Sequence, residues 1–155
     1  MDLYTVIKYV HVISSTILFG TGLGTAFQMW AAHRRGNVRA IAVVARNVVR
    51  ADWLFTTPAV IVQPLSGAAM MHLAGFRPTD GWLALSLGLY VFTGACWLPV
   101  VWLQIRAARL AERAADAGQP LPETYFRFFR LWFFLGWPAF IAVLAIFWLM
   151  LAKPF

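Results

Sequence analysis

Three histidines, one cysteine and a thin scatter of carboxylates are the side chains of this 155-residue chain that could ligate a metal or move a proton. His11 heads a run of Ser14, Leu18, Thr21, Thr25 and Gln28, spaced alternately by three and four residues, which on a helix is one face. Gly20 and Gly24 stand four apart with Gly22 between them, so a second helix or a flat ligand can approach the backbone there. His72 follows Met70 and Met71 directly. Neutral imidazole is a strong ligand for heme iron, and imidazole with thioether also suits copper(I). His33 abuts Arg34 and Arg35 and reads as an interfacial residue. Lys8, one turn before His11, either reaches the same outer cavity or snorkels to the interface. Asp52 is the carboxylate nearest a span, beside Trp53 and two residues from Arg50. The sequence shows no nucleophile–base pair, glycine-rich phosphate loop or paired buried carboxylates, so hydrolysis and phosphoryl transfer have no support.

The elements that must position these residues follow from composition. The chain is 61% hydrophobic and 12% charged, whereas charged residues make up about a quarter of a soluble domain. A small soluble fold buries only about two-thirds of its surface and could not hide this much apolar side chain. The single Cys96 forms no internal disulfide. A soluble enzyme, a disordered chain and a disulfide scaffold are excluded, and the chain reads as an integral membrane protein. Four stretches, 9–33, 53–76, 81–105 and 131–152, contain no Asp, Glu, Lys or Arg. A bilayer needs about 20 helical residues to cross. The predicted architecture is an all-α, single-domain bundle with spans of about 5–32, 53–76, 81–106 and 130–152. Alternating segments of about 10 residues, the mark of an outer-membrane barrel, are absent. Residues 1–9 lack a basic leader pattern, so the first segment is expected to remain as a span.

Cations orient the bundle. Ten of the thirteen Lys and Arg residues fall between the charge-free stretches, in 34–52 and 106–130, around the predicted connections 33–52 and 107–129, and Lys8, Arg77 and Lys153 lie on the other side. The positive-inside rule makes those connections cytoplasmic and both termini periplasmic, in a bacterial inner membrane. Membrane topology and lipid headgroups account for the net charge of +7, and no nucleic-acid partner is implied. Within 37–51 the arginines Arg39, Arg46 and Arg50 gather near one helical face, as in a basic interfacial helix leading into span two. Residues 106–116 extend span three, and Gly118, Pro120 and Pro122 end it.

Antiparallel spans bring His11 and His72 to the same side, within one or two turns in depth, where two imidazoles could clamp heme iron. The glycines, serines and threonines of span one are equally explained by helix–helix contact. Pro58, Pro64 and Pro138 mark sites where freed carbonyls need new partners.

The opening VIKYVHVISSTILFGTGLGTAFQMWAAHR resembles the first helix of HemJ-type protoporphyrinogen IX oxidases, with Lys8, His11, a glycine-containing middle and His33 near the exit. The closing FRLWFFLGWPAFIAVLAIFWLMLAKPF is similar to that family's last helix, and Arg50, Pro58 and Gly67 are the best correspondences in span two. The chain resembles more closely a family of bacterial membrane proteins of unknown function marked by LFGTGLG, ADWLFTTPA and GACWLPVVWLQIR; copper-resistance CopD-like proteins share the same broad group. The resemblance implies that His11 matches a heme b ligand. The oxidases' Tyr-Leu-Pro-Arg segment is replaced here by Gly24-Thr25-Ala26-Phe27-Gln28, and their third-helix lysine has no counterpart between 81 and 105.

The expectation is therefore a heme b protein of electron transfer or porphyrin oxidation, with His11 and His72 as axial ligands and Gly20 and Gly24 against the macrocycle. Its rivals are copper handling through Met70, Met71 and His72, and a cofactor-free scaffold or accessory subunit. The lipid bilayer is the implied partner, together with a redox partner or a second copy of the chain.

Overall fold

Asp2 starts the first helix. Its carboxylate accepts the Thr5 N–H at 2.8 Å, and the Thr5 side-chain and backbone donors hold that carboxyl below the usual carboxylate range. In the computed structural model, which describes residues 2–154, α1 runs Leu3–Arg35. It ends at Gly36, whose φ of 68° is the left-handed conformation that a residue without Cβ adopts freely. Asn37 then caps α2, Val38–Ala51, by accepting the Ala40 N–H at 3.0 Å. α2 does not stop at the membrane. It continues through a π-helical turn, Asp52–Thr56, into α3, Thr57–Ala74, as one unbroken 37-residue helix. The π turn directly precedes Pro58, and both features interrupt the regular hydrogen-bond ladder. α4, Gly81–Asp116, and α5, Glu123–Ala152, complete the chain.

The expected all-α bundle of four spans is found, and the four spans put both chain ends on one side of the membrane. The helix expected over 37–51 and the extension of span three expected over 106–116 are both found. Most of 33–52 is helical, and 107–129 reduces to a turn over 117–122 between α4 and α5. At about 1.5 Å per residue, the 33 residues of α1 and the 36 of α4 measure about 50 Å or more, against a hydrocarbon layer of about 30 Å. The excess lies at the arginine-rich end, and the main core forms there. Ile41, Ala45 and Val48 of α2 meet Ala107, Ala108 and Ala111 of α4, with Met29 of α1 and Tyr125, Phe129 and Trp132 of α5 closing around them. The small alanines let α2 approach α4 closely. Arg39, Arg46 and Arg50 point outward, so α2 is amphipathic as expected. Its apolar face is buried against α4 and α1, however, and not in the lipid interface. Arg46 Nε reaches Glu112 Oε1 at 2.5 Å, which ties α2 to α4.

Nearer the membrane centre the outward faces are apolar. Val91 is 71% exposed and Leu65 66%. In water such surface would drive association; in lipid it is the surface the solvent requires.

Candidate functional site

Through the membrane the helices associate as two pairs, α1 with α3 and α4 with α5. Few contacts join the pairs. Phe19 of α1 packs on Phe140 and Phe147 of α5, each at 5.4 Å between ring centroids. Tyr90 of α4 donates its hydroxyl to the Val60 carbonyl of α3 at 2.5 Å. That carbonyl lies four residues before Pro64, which has no N–H to offer it, so Tyr90 supplies the partner the sequence calls for. Between the pairs lies a cleft formed by two adjoining cavities of ≈ 560 Å³ and ≈ 430 Å³, with Leu18, Thr56, Trp97 and Val143 in the walls of both. These volumes fall within the range of about 300–1,000 Å³ usual for small-molecule sites. Phe27 and Trp137, on the wall of the larger cavity, are more than half exposed, so the cleft is open toward lipid.

His11 lines the smaller cavity. Its Nδ1 is 2.8 Å from Ser66 Oγ. The Ser66 hydroxyl itself donates to the Val62 carbonyl at 2.7 Å, which leaves its oxygen lone pairs to accept the imidazole N–H. Nδ1 is then the protonated nitrogen, and Nε2 carries a free lone pair. Nε2 has no hydrogen-bond partner among the described residues. Gly67 lies beside the ring: a Cβ there would stand 3.5 Å from His11 Cε1, at ordinary van der Waals contact. Gln63 Nε2 donates to the His11 carbonyl at 3.1 Å and fixes the level at which α1 meets α3.

The larger cavity ends on a set of polar groups absent from the sequence-derived site. Asp52, only 7% exposed, accepts from the Thr56 hydroxyl at 2.8 Å and from the Gln104 side-chain amide. Gln104 Oε1 in turn accepts the Trp132 indole N–H at 3.2 Å. The π turn aims Asp52 and Thr56 into the bundle together. The available signal was Asp and Thr four residues apart ahead of a Thr-Pro step; nothing local pointed to Gln104, 52 residues away.

The remaining expected site residues disperse. His72 is exposed and borders neither cavity. It lies six residues past Ser66, about 9 Å along α3 and about 240° around it, so it turns away from His11. Met70, Met71 and His72 are consecutive residues of one helix, splayed by about 100° each, and do not converge. Among the described residues no three of His, Cys, Asp and Glu gather as metal ligands do. Gly20 and Gly24 are exposed and border neither cavity; nothing lies within 4 Å of where a Cβ would stand, so of the two neighbours expected there, a second helix or a flat ligand, no helix of the chain is found. The reason is the pairing of the helices: Ser14 and Met29 of α1 are buried, and the glycines fall on a different face. Thr21 and Thr25 stay half-buried on the expected seam, while Gln28 at its end is exposed. His33 is no simple surface residue, because its ring stacks on Phe129 at 3.8 Å with 11° between the planes. Its Nδ1 and the nearby Tyr125 hydroxyl are buried without hydrogen-bond partners.

Fold and site together define a four-span helical membrane protein whose two helix pairs enclose a lipid-facing cleft with a polar group at each end. Residues 5–154 match the family described as "Predicted integral membrane protein (DUF2269)", and the chain belongs to that family. No curated protein and no solved structure matches the chain.

Proposed function

We propose that the chain is a heme b-binding membrane protein of electron transfer, with His11 as the axial ligand and the smaller cavity as the seat of the macrocycle. One observation carries this reading: His11 Nδ1 donates to a serine whose own proton is committed elsewhere, so the Nε2 lone pair is held free beside a cavity. Ligating histidines characteristically give their second N–H to such a partner, which fixes the tautomer and the ring plane. The residues present fit the group. The cavity is walled by Val60, Val143, Ile146, Phe147 and Leu151, which exclude water. The outer cations Lys8, Arg77 and Lys153 supply positive charge for carboxylates at that end of the bundle. A heme held there supplies reversible one-electron chemistry, with a potential set by the imidazole and the low dielectric. Electron transfer fits this chain better than porphyrin oxidation, because the Tyr-Leu-Pro-Arg segment and third-helix lysine of the oxidases it resembles are missing.

His72 is left out of this assignment because it faces away from the cleft, so a bound heme would take one imidazole from the chain, that of His11. The detergent-purified protein is expected to show a Soret band, high-spin when ferric, and to bind carbon monoxide when reduced. His11→Ala should abolish heme retention, and His72→Ala should leave the spectrum unchanged. A His11→Ala protein with normal heme content ends the proposal. A protein without a Soret band after heme supplementation leaves the cofactor-free scaffold as the reading, and stoichiometric copper would restore the copper alternative.

A further inference from the structure

The opposite end of the cleft has a chemistry of its own. Asp52 is more than nine-tenths buried and is the sole ionisable side chain in the wall of the ≈ 560 Å³ cavity. Among the described residues no cation lies within ion-pair distance of it; the arginine that pairs, Arg46, is taken by Glu112. A buried carboxylate without a counter-charge is costly, and within a membrane bundle it marks a ligand or ion site. Its two acceptances, from Thr56 and Gln104, orient the carboxylate but leave further lone pairs on both oxygens. Aromatic side chains make up much of the surrounding wall, with Trp97 and Trp137 among them. The carboxylate is level with Gln104 and Trp132, which stand two residues from Arg106 and Arg130 respectively.

We infer that this cavity is a binding site for an amphiphilic organic cation, a quaternary or protonated onium group carried on an apolar body. The Asp52 carboxylate meets the charge, the tryptophans offer their ring faces, and the apolar body lies between the helix pairs. An inorganic cation fits poorly, because it would surrender a hydration shell to a wall that is mostly apolar. A weakly hydrated organic cation surrenders little and gains cation–π attraction as well as the counter-charge. The two sites adjoin along Leu18, Thr56, Trp97 and Val143, but the charge is met here by Asp52 and not by His11 or Ser66.

The test uses two ions of one shape and opposite charge, tetraphenylphosphonium and tetraphenylborate, titrated into the purified full chain in neutral detergent and followed by tryptophan quenching and equilibrium dialysis. The phosphonium should bind at least about tenfold more tightly than the borate, and Asp52→Asn should weaken its binding by at least about tenfold while leaving borate binding unchanged. The His11→Ala protein should bind the phosphonium normally, which separates this site from the heme reading. Phosphonium binding within twofold in the Asp52→Asn protein, or borate bound as tightly as phosphonium, overturns the inference. Should Asp52→Asn fail to fold, the comparison of the two ions on the unaltered protein decides alone.

Discussion

At the scale of the residue, the informative feature of His11 is the care with which one of its nitrogens is occupied. A packing histidine needs only some partner for each polar atom. Here the partner of Nδ1 is a serine whose own hydrogen bonds assign the tautomer, and the ring edge rests against a glycine. That contact makes a graded prediction possible. A methyl group at Gly67 would sit at ordinary van der Waals distance from the imidazole, and alanine is favoured over glycine inside a helix by up to about 1 kcal/mol. Gly67→Ala should therefore leave the protein as stable as before or slightly more so, with the His11 ring in place. Gly67→Leu extends into the space the ring occupies, and overpacking of this kind costs about 1–3 kcal/mol. Thermal unfolding in detergent measures both, and heme retention reports the ring position. A leucine variant as stable and as heme-competent as the alanine variant would show that Gly67 does not set the imidazole. The residue scale is also where the sequence misleads. His72 looked like His11's match because both lie near the same membrane face. Depth along a helix is readable from numbering, but the direction around it depends on which neighbour the helix packs against.

At the scale of the element, Pro64 is compensated across the cleft and not within its own helix. Pro64 deprives the Val60 carbonyl of its usual donor, and the Tyr90 hydroxyl of α4 takes that place. The two residues are therefore coupled through a carbonyl belonging to neither. Tyr90→Phe leaves that carbonyl without a partner in a low-dielectric setting, a loss of about 1–3 kcal/mol. Pro64→Ala restores an amide four residues on, so in that background Tyr90→Phe should cost little. A double-mutant cycle on thermal stability checks this, and equal costs of Tyr90→Phe in the two backgrounds would show that Tyr90 does not stand in for the missing amide. The need for a carbonyl partner near Pro64 was readable in the sequence; the identity of the tyrosine, 30 residues further along on another helix, was not. The π turn was hidden for a related reason. One extra residue in the hydrogen-bond ladder leaves hydropathy untouched, so α2 and α3 read as a connection followed by a span. That turn brings Asp52 and Thr56 inward, and Asp52 accordingly read as a boundary carboxylate beside Arg50.

At the scale of the molecule, one pattern governs fold, core and orientation. The spans were legible because crossing a bilayer demands long runs free of charge, and four such runs exist. The core was less so: helices over 37–51 and 106–116 were legible, but not that Ala45, Ala107 and Ala111 pack them against one another at the arginine-rich end. The same end carries Arg34, Arg35, Arg39, Arg46, Arg50, Arg106, Arg109, Arg113, Arg127 and Arg130, all on short segments or helix extensions close to the spans. Cations in such positions resist translocation and set orientation, whereas acidic residues contribute little, so Glu112 and Asp116 do not offset them. The opposite face holds Lys8, Arg77 and Lys153, and Lys153 lies 4.7 Å from the Phe76 ring centroid and 5.4 Å from that of Trp82. Expressed in a bacterial inner membrane, the chain should place its packed extension in the cytoplasm and both ends outside. An alkaline phosphatase fused after the last residue should be active there and a green fluorescent protein at the same point dark, with the pattern reversed for insertions in the turn at 117–122. Fluorescence from the C-terminal fusion would mean that the arginine-rich core faces outward. Removing arginines from one connection only should scramble the topology partially, because the other connection still carries five.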